Sequence, residues 1–218
     1  MIALLVLLPP AAGCASGRQS GNLRAESLGA DPVFLDRDFT TSVYAKLNST
    51  ETSFFLTDVP IVDLLAGNIS MGIVVHLDLL WVPSAGATPM DSSATNVSIR
   101  YIVFAVGEVG IYGGAGFAMP HGTIGEGTVS LSLRDASLTL LDSTDGFVDL
   151  LSPARLTGKL TANLDRNQSQ RMAWAVNQIV TNALGYTRLV GSTPPTDGTK
   201  ATRRRRSSSS SLSSSSGA

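Results

Sequence analysis

The feature that most constrains the fold is an alternation of apolar and polar side chains with a period of two residues. In its clearest stretch, every second residue is apolar, and the apolar set is Ile69, Met71, Ile73, Val75, Leu77, Leu79 and Trp81. Similar stretches begin near Val97, Val129 and Leu156. Successive side chains of a β-strand point to opposite faces, so this alternation is typical of strands that bury one face. We therefore expect a mainly β fold of the α+β kind, with about seven or eight strands in a curved antiparallel sheet, a sandwich or a half-barrel.

Local breaks in the alternation predict where strands bend or end. The apolar phase of the stretch from Val129 flips after Leu133, so we expect a turn or bulge near Arg134–Asp135. A weaker hairpin is indicated by residues 41–47 and 52–57, with its turn at Asn48-Ser49-Thr50. A short helix is indicated by residues 60–66, which begin with a proline and are followed by Gly67.

A C-terminal amphipathic helix is the best-signalled single element. Asp165 is a favourable N-cap with Gln168 three residues later, and Gly185 provides a stop. Between them the apolar residues follow the helical period: Met172, Val176, Ile179, Val180 and Ala183. Because an apolar stripe must be buried, we expect this helix to pack across one face or one open end of the sheet.

The segment from Gly107 to Gly127 contains eight glycines but matches no phosphate-binding loop. Those loops need fixed glycine spacings between a strand and a helix, and neither spacing occurs here. The pattern instead predicts a strand over residues 111–119, whose glycines permit tight curvature or the close approach of another backbone.

Charge separates the tail from the rest of the chain. Residues 192–218 contain five basic residues and one acidic residue, a net charge of +4, so the remainder carries −5 out of the total of −1. A mildly acidic folded part argues against nucleic-acid binding. We expect the serine-rich tail to be disordered, since it has too little apolar surface to pack.

The first residues have the composition of an export signal. Residues 2–8 are all apolar, far short of the about 20 that a membrane-spanning helix needs but within reach of a signal-peptide core. Small residues follow, and they lead to the only cysteine of the chain, Cys14. The run Ala11-Ala12-Gly13-Cys14 resembles the lipobox of bacterial lipoproteins. The resemblance implies cleavage after residue 13 and lipid attachment to Cys14. Because Ala15 is not an aspartate, it also implies the outer membrane of the cell envelope, facing the periplasm or the surface.

These observations predict four segments. Residues 1–13 are a signal peptide, residues 14–31 a lipid-anchored flexible tether, residues 32–191 a single β-rich domain, and residues 192–218 a disordered basic and serine-rich tail.

Few residues point to catalysis. His76 and Asp78 share the polar face of one predicted strand and could offer two metal ligands, with His121 and Glu126 from a later loop completing the set. Nothing in the sequence shows that these four converge, and a histidine on such a face is more often solvated. No nucleophile-elbow motif occurs. We therefore predict no catalytic residue, no metal and no cofactor.

The four consecutive arginines, Arg203, Arg204, Arg205 and Arg206, could contact an anionic surface or polymer. An equally good interpretation is a solvated tail without a specific partner.

Three functions follow, from different classes. The first is a lipid-anchored envelope protein whose non-catalytic β domain interacts with another envelope component. The second is a carrier of a lipid or small hydrophobic ligand inside a helix-capped curved sheet. The third is a metal-dependent or hydrolytic enzyme that uses His76 or His121. The sequence favours the first.

Overall fold

The computed structural model describes residues 21–83 and 94–187, and these form a mainly antiparallel β fold with two helices. The nine strands are β1 (Gly21–Ser27), β2 (Phe34–Phe39), β3 (Thr41–Lys46), β4 (Thr52–Thr57), β5 (Met71–Leu79), β6 (Val97–Ala105), β7 (Glu108–His121), β8 (Thr128–Ser143) and β9 (Ala154–Leu164). The helices are α1 (Ile61–Ala66) and α2 (Arg166–Leu184). The predicted curved antiparallel sheet with a C-terminal helix packed on it is confirmed.

The sheet closes on itself. Strands β3 to β8 form an antiparallel meander, and β8 then pairs with β9. The far edge of β9 meets β3 in a short parallel pairing, Val43 with Asn163 and Tyr44 with Leu164. Seven strands, β3 to β9, therefore make a ring. We call its two openings the turn end, where β3 joins β4 and β7 joins β8, and the loop end, where β8 joins β9.

The hairpin of β1 and β2 extends this ring toward the loop end. β1 pairs antiparallel with β9 beside β3, and β2 covers the outer edge of β1. The tether predicted for residues 14–31 therefore extends too far, because residues 21–27 are a strand of the sheet. The buried face of β1 has only two apolar residues, Leu23 and Ala25. So short an alternation does not distinguish a strand from a polar linker in the sequence.

Inside the ring lies a cluster of buried apolar side chains to which every strand contributes. We call it the interior cluster. Its large members include Leu23, Phe39, Tyr44, Phe54, Leu56, Ile73, Leu77, Leu79, Ile99, Tyr101 and Tyr112. The alternation in β5 and β6 predicts these inward faces correctly, except that Met71 is exposed.

Glycines in β7 allow β8 to approach closely, as the sequence predicts. A Cβ atom on Gly114 would overlap the carbonyl oxygen of Ser137, and one on Gly116 would overlap Ala136. Opposite them β8 shifts register between Leu133 and Ala136, and Asp135 has a φ of 47°. The bulge expected near Arg134–Asp135 is confirmed.

Helix α2 packs on the outer face of the ring, not over an open end. The Asp165 side chain accepts a hydrogen bond of 2.9 Å from the Gln168 backbone, and Gly185 ends the helix with a φ of 78°. The helix completes a second apolar cluster, which we call the outer cluster: Val43, Phe55, Val59, Leu64, Val74, Ile102, Phe104, Val109, Ile111, Met172, Val176 and Val180. Two separate cores, one inside the wall and one outside it, therefore share strands β3 to β7.

Candidate functional site

The predicted pair His76 and Asp78 lies on the outer face of β5, beside the outer cluster. Strand register places Ser53 of β4 opposite Asp78, and Arg100 of β6 opposite His76. The ring of Phe55, a member of the outer cluster, stacks on the imidazole with centroids 4.2 Å apart and planes 7° apart. Backbone pairing thus assembles one serine, one histidine, one aspartate and one arginine on neighbouring strands.

Both polar contacts of the imidazole use the same nitrogen. His76 Nε2 lies 2.6 Å from Ser53 Oγ and 3.0 Å from Asp78 Oδ1. A serine-histidine-aspartate triad needs the serine and the aspartate on opposite ring nitrogens, so that one orients the base while the other is deprotonated. Ser53 is also only 4% exposed. This cluster lacks the geometry of a nucleophilic triad.

The charges of the cluster favour an ionised Asp78. Burial raises the pKa of Asp78, but the hydrogen bond and charge of His76, the hydrogen bond of Ser53 and the charge of Arg100 outweigh it. The net result is a pKa below the ordinary value of an aspartate. The contacts of His76 with Ser53 and Asp78 connect β4 to β5 on the outer face of the ring.

The other two predicted metal ligands lie elsewhere. His121 ends β7, where its Nε2 lies 3.3 Å from Ser132 Oγ, and Glu126 belongs to the following turn. The β7 residue level with His76 is Gly113, eight residues and roughly 25 Å of strand from His121. Within residues 21–83 and 94–187, no group of three or more His, Cys, Asp or Glu side chains is placed to hold a metal ion.

A second polar constellation, which sequence reasoning missed, lies at the loop end. Residues 144–153 connect β8 to β9, and Asp149 holds this loop in place. Its Oδ1 accepts hydrogen bonds from the Tyr112 hydroxyl at 2.8 Å and from the backbone N–H groups of Leu151 and Ser152, each at 3.0 Å. The only sequence signal for it is an aspartate that can accept hydrogen bonds from the backbone N–H groups two and three residues later, which is a common turn pattern.

Apolar side chains of the same loop cover the opening of the ring. Leu151 belongs to the interior cluster, and Phe147 packs against it. A Cβ atom on Gly110 would overlap the Phe147 ring, so the missing side chain makes room for this ring. The Phe147 ring then meets Tyr112 edge to face, with centroids 6.3 Å apart.

Below this layer lies Tyr101, whose side chain is fully buried. Its ring meets Tyr112 edge to face at 6.4 Å, and its hydroxyl has no hydrogen-bond partner among the residues that the structure describes. Burial raises the pKa of this hydroxyl, the Asp58 carboxylate raises it further and the Arg37 guanidinium lowers it, with a net rise. A buried hydroxyl without a partner is uncommon and costs roughly 1–3 kcal/mol.

Several predicted features lie outside the described residues: the signal peptide, Cys14, and Arg203, Arg204, Arg205 and Arg206. They remain predictions. Among the helices that the structure describes, neither is long and apolar enough to span a membrane.

No protein-family model, no curated protein and no solved structure matches this chain.

Proposed function

We propose that this protein is a lipid-anchored component of the bacterial cell envelope whose β domain binds another envelope protein and performs no chemistry. The observation that carries the proposal is the exposure of large apolar side chains on two adjacent loops at the loop end. These loops are the β1–β2 turn and residues 144–153. Together with the first residue of β2, their exposed large apolar side chains form what we call the docking patch: Leu28, Val33, Phe34, Val148 and Leu150.

The two loops are held beside each other. The backbone N–H of Leu28 donates to the Pro153 carbonyl at 2.8 Å, and Ser27 pairs with Ala154. Val148 is 71% exposed, Leu150 63% and Leu28 53%. Clustered apolar exposure of this kind is typical of surfaces that bind other proteins, since burying it on association releases free energy of about 25 cal/mol per Å².

The position of β1 agrees with a lipid at Cys14. The chain enters the sheet at Gly21, seven residues after Cys14, and β1 runs from there to the docking patch. A strand rises about 3.3 Å per residue, so β1 carries the patch roughly 20 Å from the point where the chain enters the sheet. A membrane anchor before β1 would therefore leave the docking patch on the side of the domain away from the anchor, where a partner can reach it.

The enzyme alternative receives no support from the described geometry, since His76 presents one nitrogen to both neighbours and His121 lies far along β7.

The anchor and the patch are tested separately. Intact mass of the native protein should correspond to a chain that starts at Cys14 and carries a lipid. An unmodified thiol with residues 1–13 still attached would contradict the anchor.

The patch is tested in envelope membranes with a photo-crosslinking residue at Val148 or Leu150. A matched control position is Val62 of α1, which is 73% exposed but outside the patch. We expect one protein to crosslink from both patch positions, not from Val62, and to be lost in Leu28→Asp. Equal crosslinking from Val62, or an unchanged product in Leu28→Asp, would overturn the docking role.

A further inference from the structure

The loop end holds a guanidinium and a hydroxyl that no described residue engages. Arg37 makes no hydrogen bond or ion pair with the residues that the structure describes, and the Tyr101 hydroxyl is buried without a partner. One is a permanent cation with a fork of N–H donors, and the other is a neutral donor with a high pKa.

Strand alternation places the Arg37 side chain on the inward face of β2. Its neighbours two residues away on either side, Leu35 and Phe39, both pack with the interior cluster. Its partner across the β1–β2 hairpin is Leu23, which is also an interior residue. Arg37 therefore shares a face with the interior cluster, although its side chain is exposed.

The same end of the ring carries half-buried apolar side chains that line the opening. They come from β2, β6, β8 and the covering loop, and all pack against the interior cluster: Leu35, Val103, Leu140 and Phe147. Apolar walls with a few polar anchors are the usual composition of a small-molecule site.

We propose that this opening binds a small organic monocarboxylate with an apolar body. The Arg37 guanidinium and the Tyr101 hydroxyl donate hydrogen bonds to the carboxylate, and the four half-buried apolar side chains contact the body. The Phe147 side chain swings aside to admit the ligand to Tyr101. This inference does not depend on the lipid anchor or on the docking patch.

The charges near the opening favour one negative charge over two. The charges of Arg37 and Asp58 both act on the Tyr101 hydroxyl, and the Asp149 carboxylate accepts a hydrogen bond of 2.8 Å from the Tyr112 hydroxyl. The two carboxylates would repel the second charge of a phosphate, whereas a carboxylate ligand needs only one guanidinium fork and one further donor. A neutral ligand would leave Arg37 without a partner.

The test is calorimetric titration of the full-length protein with octanoate, and with octanol as the uncharged match. We expect saturable binding of octanoate and at least roughly tenfold weaker binding of octanol. Arg37→Gln should weaken octanoate binding roughly tenfold, because it removes the cation. No saturable binding at millimolar octanoate, or equal affinity for octanol, would overturn the proposal.

Two further variants separate binding from structure. Arg24→Gln is the matched control, because Arg24 lies on the outward face of the same hairpin. Its Cζ atom lies 4.2 Å from the centroid of the Phe34 ring. This variant should leave octanoate affinity unchanged, and a loss equal to that of Arg37→Gln would contradict the site.

Tyr101→Phe removes only the buried hydroxyl. We expect octanoate binding to weaken several-fold while resistance to urea is kept or increased, since the hydroxyl has no partner within residues 21–83 and 94–187. Unchanged affinity in this variant would rule out the proposed role of the hydroxyl.

Discussion

Single atoms decide the chemistry at the residue scale. Ser53 and Asp78 both approach His76 Nε2, so three residue types that suggest a hydrolase lack the arrangement of a catalytic triad. The distinction depends on which ring nitrogen each neighbour faces. Spacing along the sequence identifies the shared face of His76 and Asp78, but Ser53 comes from another strand and enters only through register.

The first prediction concerns Asp78 and pH. Because the folded protein holds the pKa of Asp78 below its ordinary value of about 4, this carboxylate stabilises the fold above pH of about 4, and the contribution is lost as pH falls through the folded pKa. We expect Asp78→Asn to be less stable than the wild type near neutrality and to lose less stability on acidification. Urea unfolding between pH of about 3 and 6 measures this.

The control for this prediction is Asp31→Asn, which alters an exposed carboxylate in the β1–β2 turn. It should leave the acid limb of the stability profile unchanged. An acid limb of the same steepness in the wild type and in Asp78→Asn would contradict the pairing.

Some residue-scale features can be predicted from sequence and others cannot. The glycines of β7 and the bulge at Asp135 are predictable, because glycine and a phase flip each have a local backbone cause. The grouping of Arg37, Tyr101 and Asp149 at the loop end is not. Its members come from β2, β6 and the β8–β9 loop, and only closure of the ring brings them together.

At the scale of elements, the loop over residues 144–153 depends on one carboxylate. Replacing Asp149 with alanine removes three hydrogen bonds that join the loop to β7 and to its own backbone. Since Asp149 is exposed, we expect a modest loss of stability of about 1–3 kcal/mol. Amide exchange should become faster in residues 144–153 and stay unchanged in α2.

Asp145→Ala provides the matched variant, because Asp145 lies in the same loop and is exposed. Exchange in the loop should then remain at the wild-type rate. If Asp149→Ala leaves loop exchange unaltered as well, the loop is held by Phe147 and Leu151 alone.

Element prediction succeeds where the pattern is long. Strands β5 and β6 and helix α2 each carry several turns or repeats of one period. Their faces and the helix caps are as predicted, apart from Met71 and Ala183, which are exposed. The hairpin of β1 and β2 was missed because charged residues dominate β2, including Asp36, Arg37 and Asp38. Such charges suit an edge strand, where they discourage pairing with another chain.

At the scale of the whole molecule, the two cores share strands and should unfold together. The inward side chains of β3 to β7 form the interior cluster, while their outward side chains form the outer cluster with α2. Unfolding of α2 would expose the outer cluster to water, and unfolding of the ring would remove the apolar surface on which α2 packs. We therefore expect one cooperative transition.

Two tryptophans report on the two parts. Trp174 lies in α2, and Trp81 follows β5 at the turn end, where it meets Phe117 edge to face at 6.2 Å. The variant Trp81→Phe keeps only the fluorescence of Trp174, and Trp174→Phe keeps only that of Trp81. In each variant the urea midpoint from fluorescence should equal the midpoint from circular dichroism. An earlier midpoint for Trp174 would show that α2 detaches before the ring opens.

The closure of the ring by β9 has a consequence for synthesis. Val43 meets Asn163, so 120 residues of nascent chain must emerge before β3 finds its partner. Until residues 154–164 leave the ribosome or an export channel, β9 is absent from the sheet. The edges of β1, β3 and β8 that pair with β9 then have unsatisfied backbone hydrogen-bonding groups. Translational pausing or slow translocation before this point should therefore increase the demand for a holding chaperone.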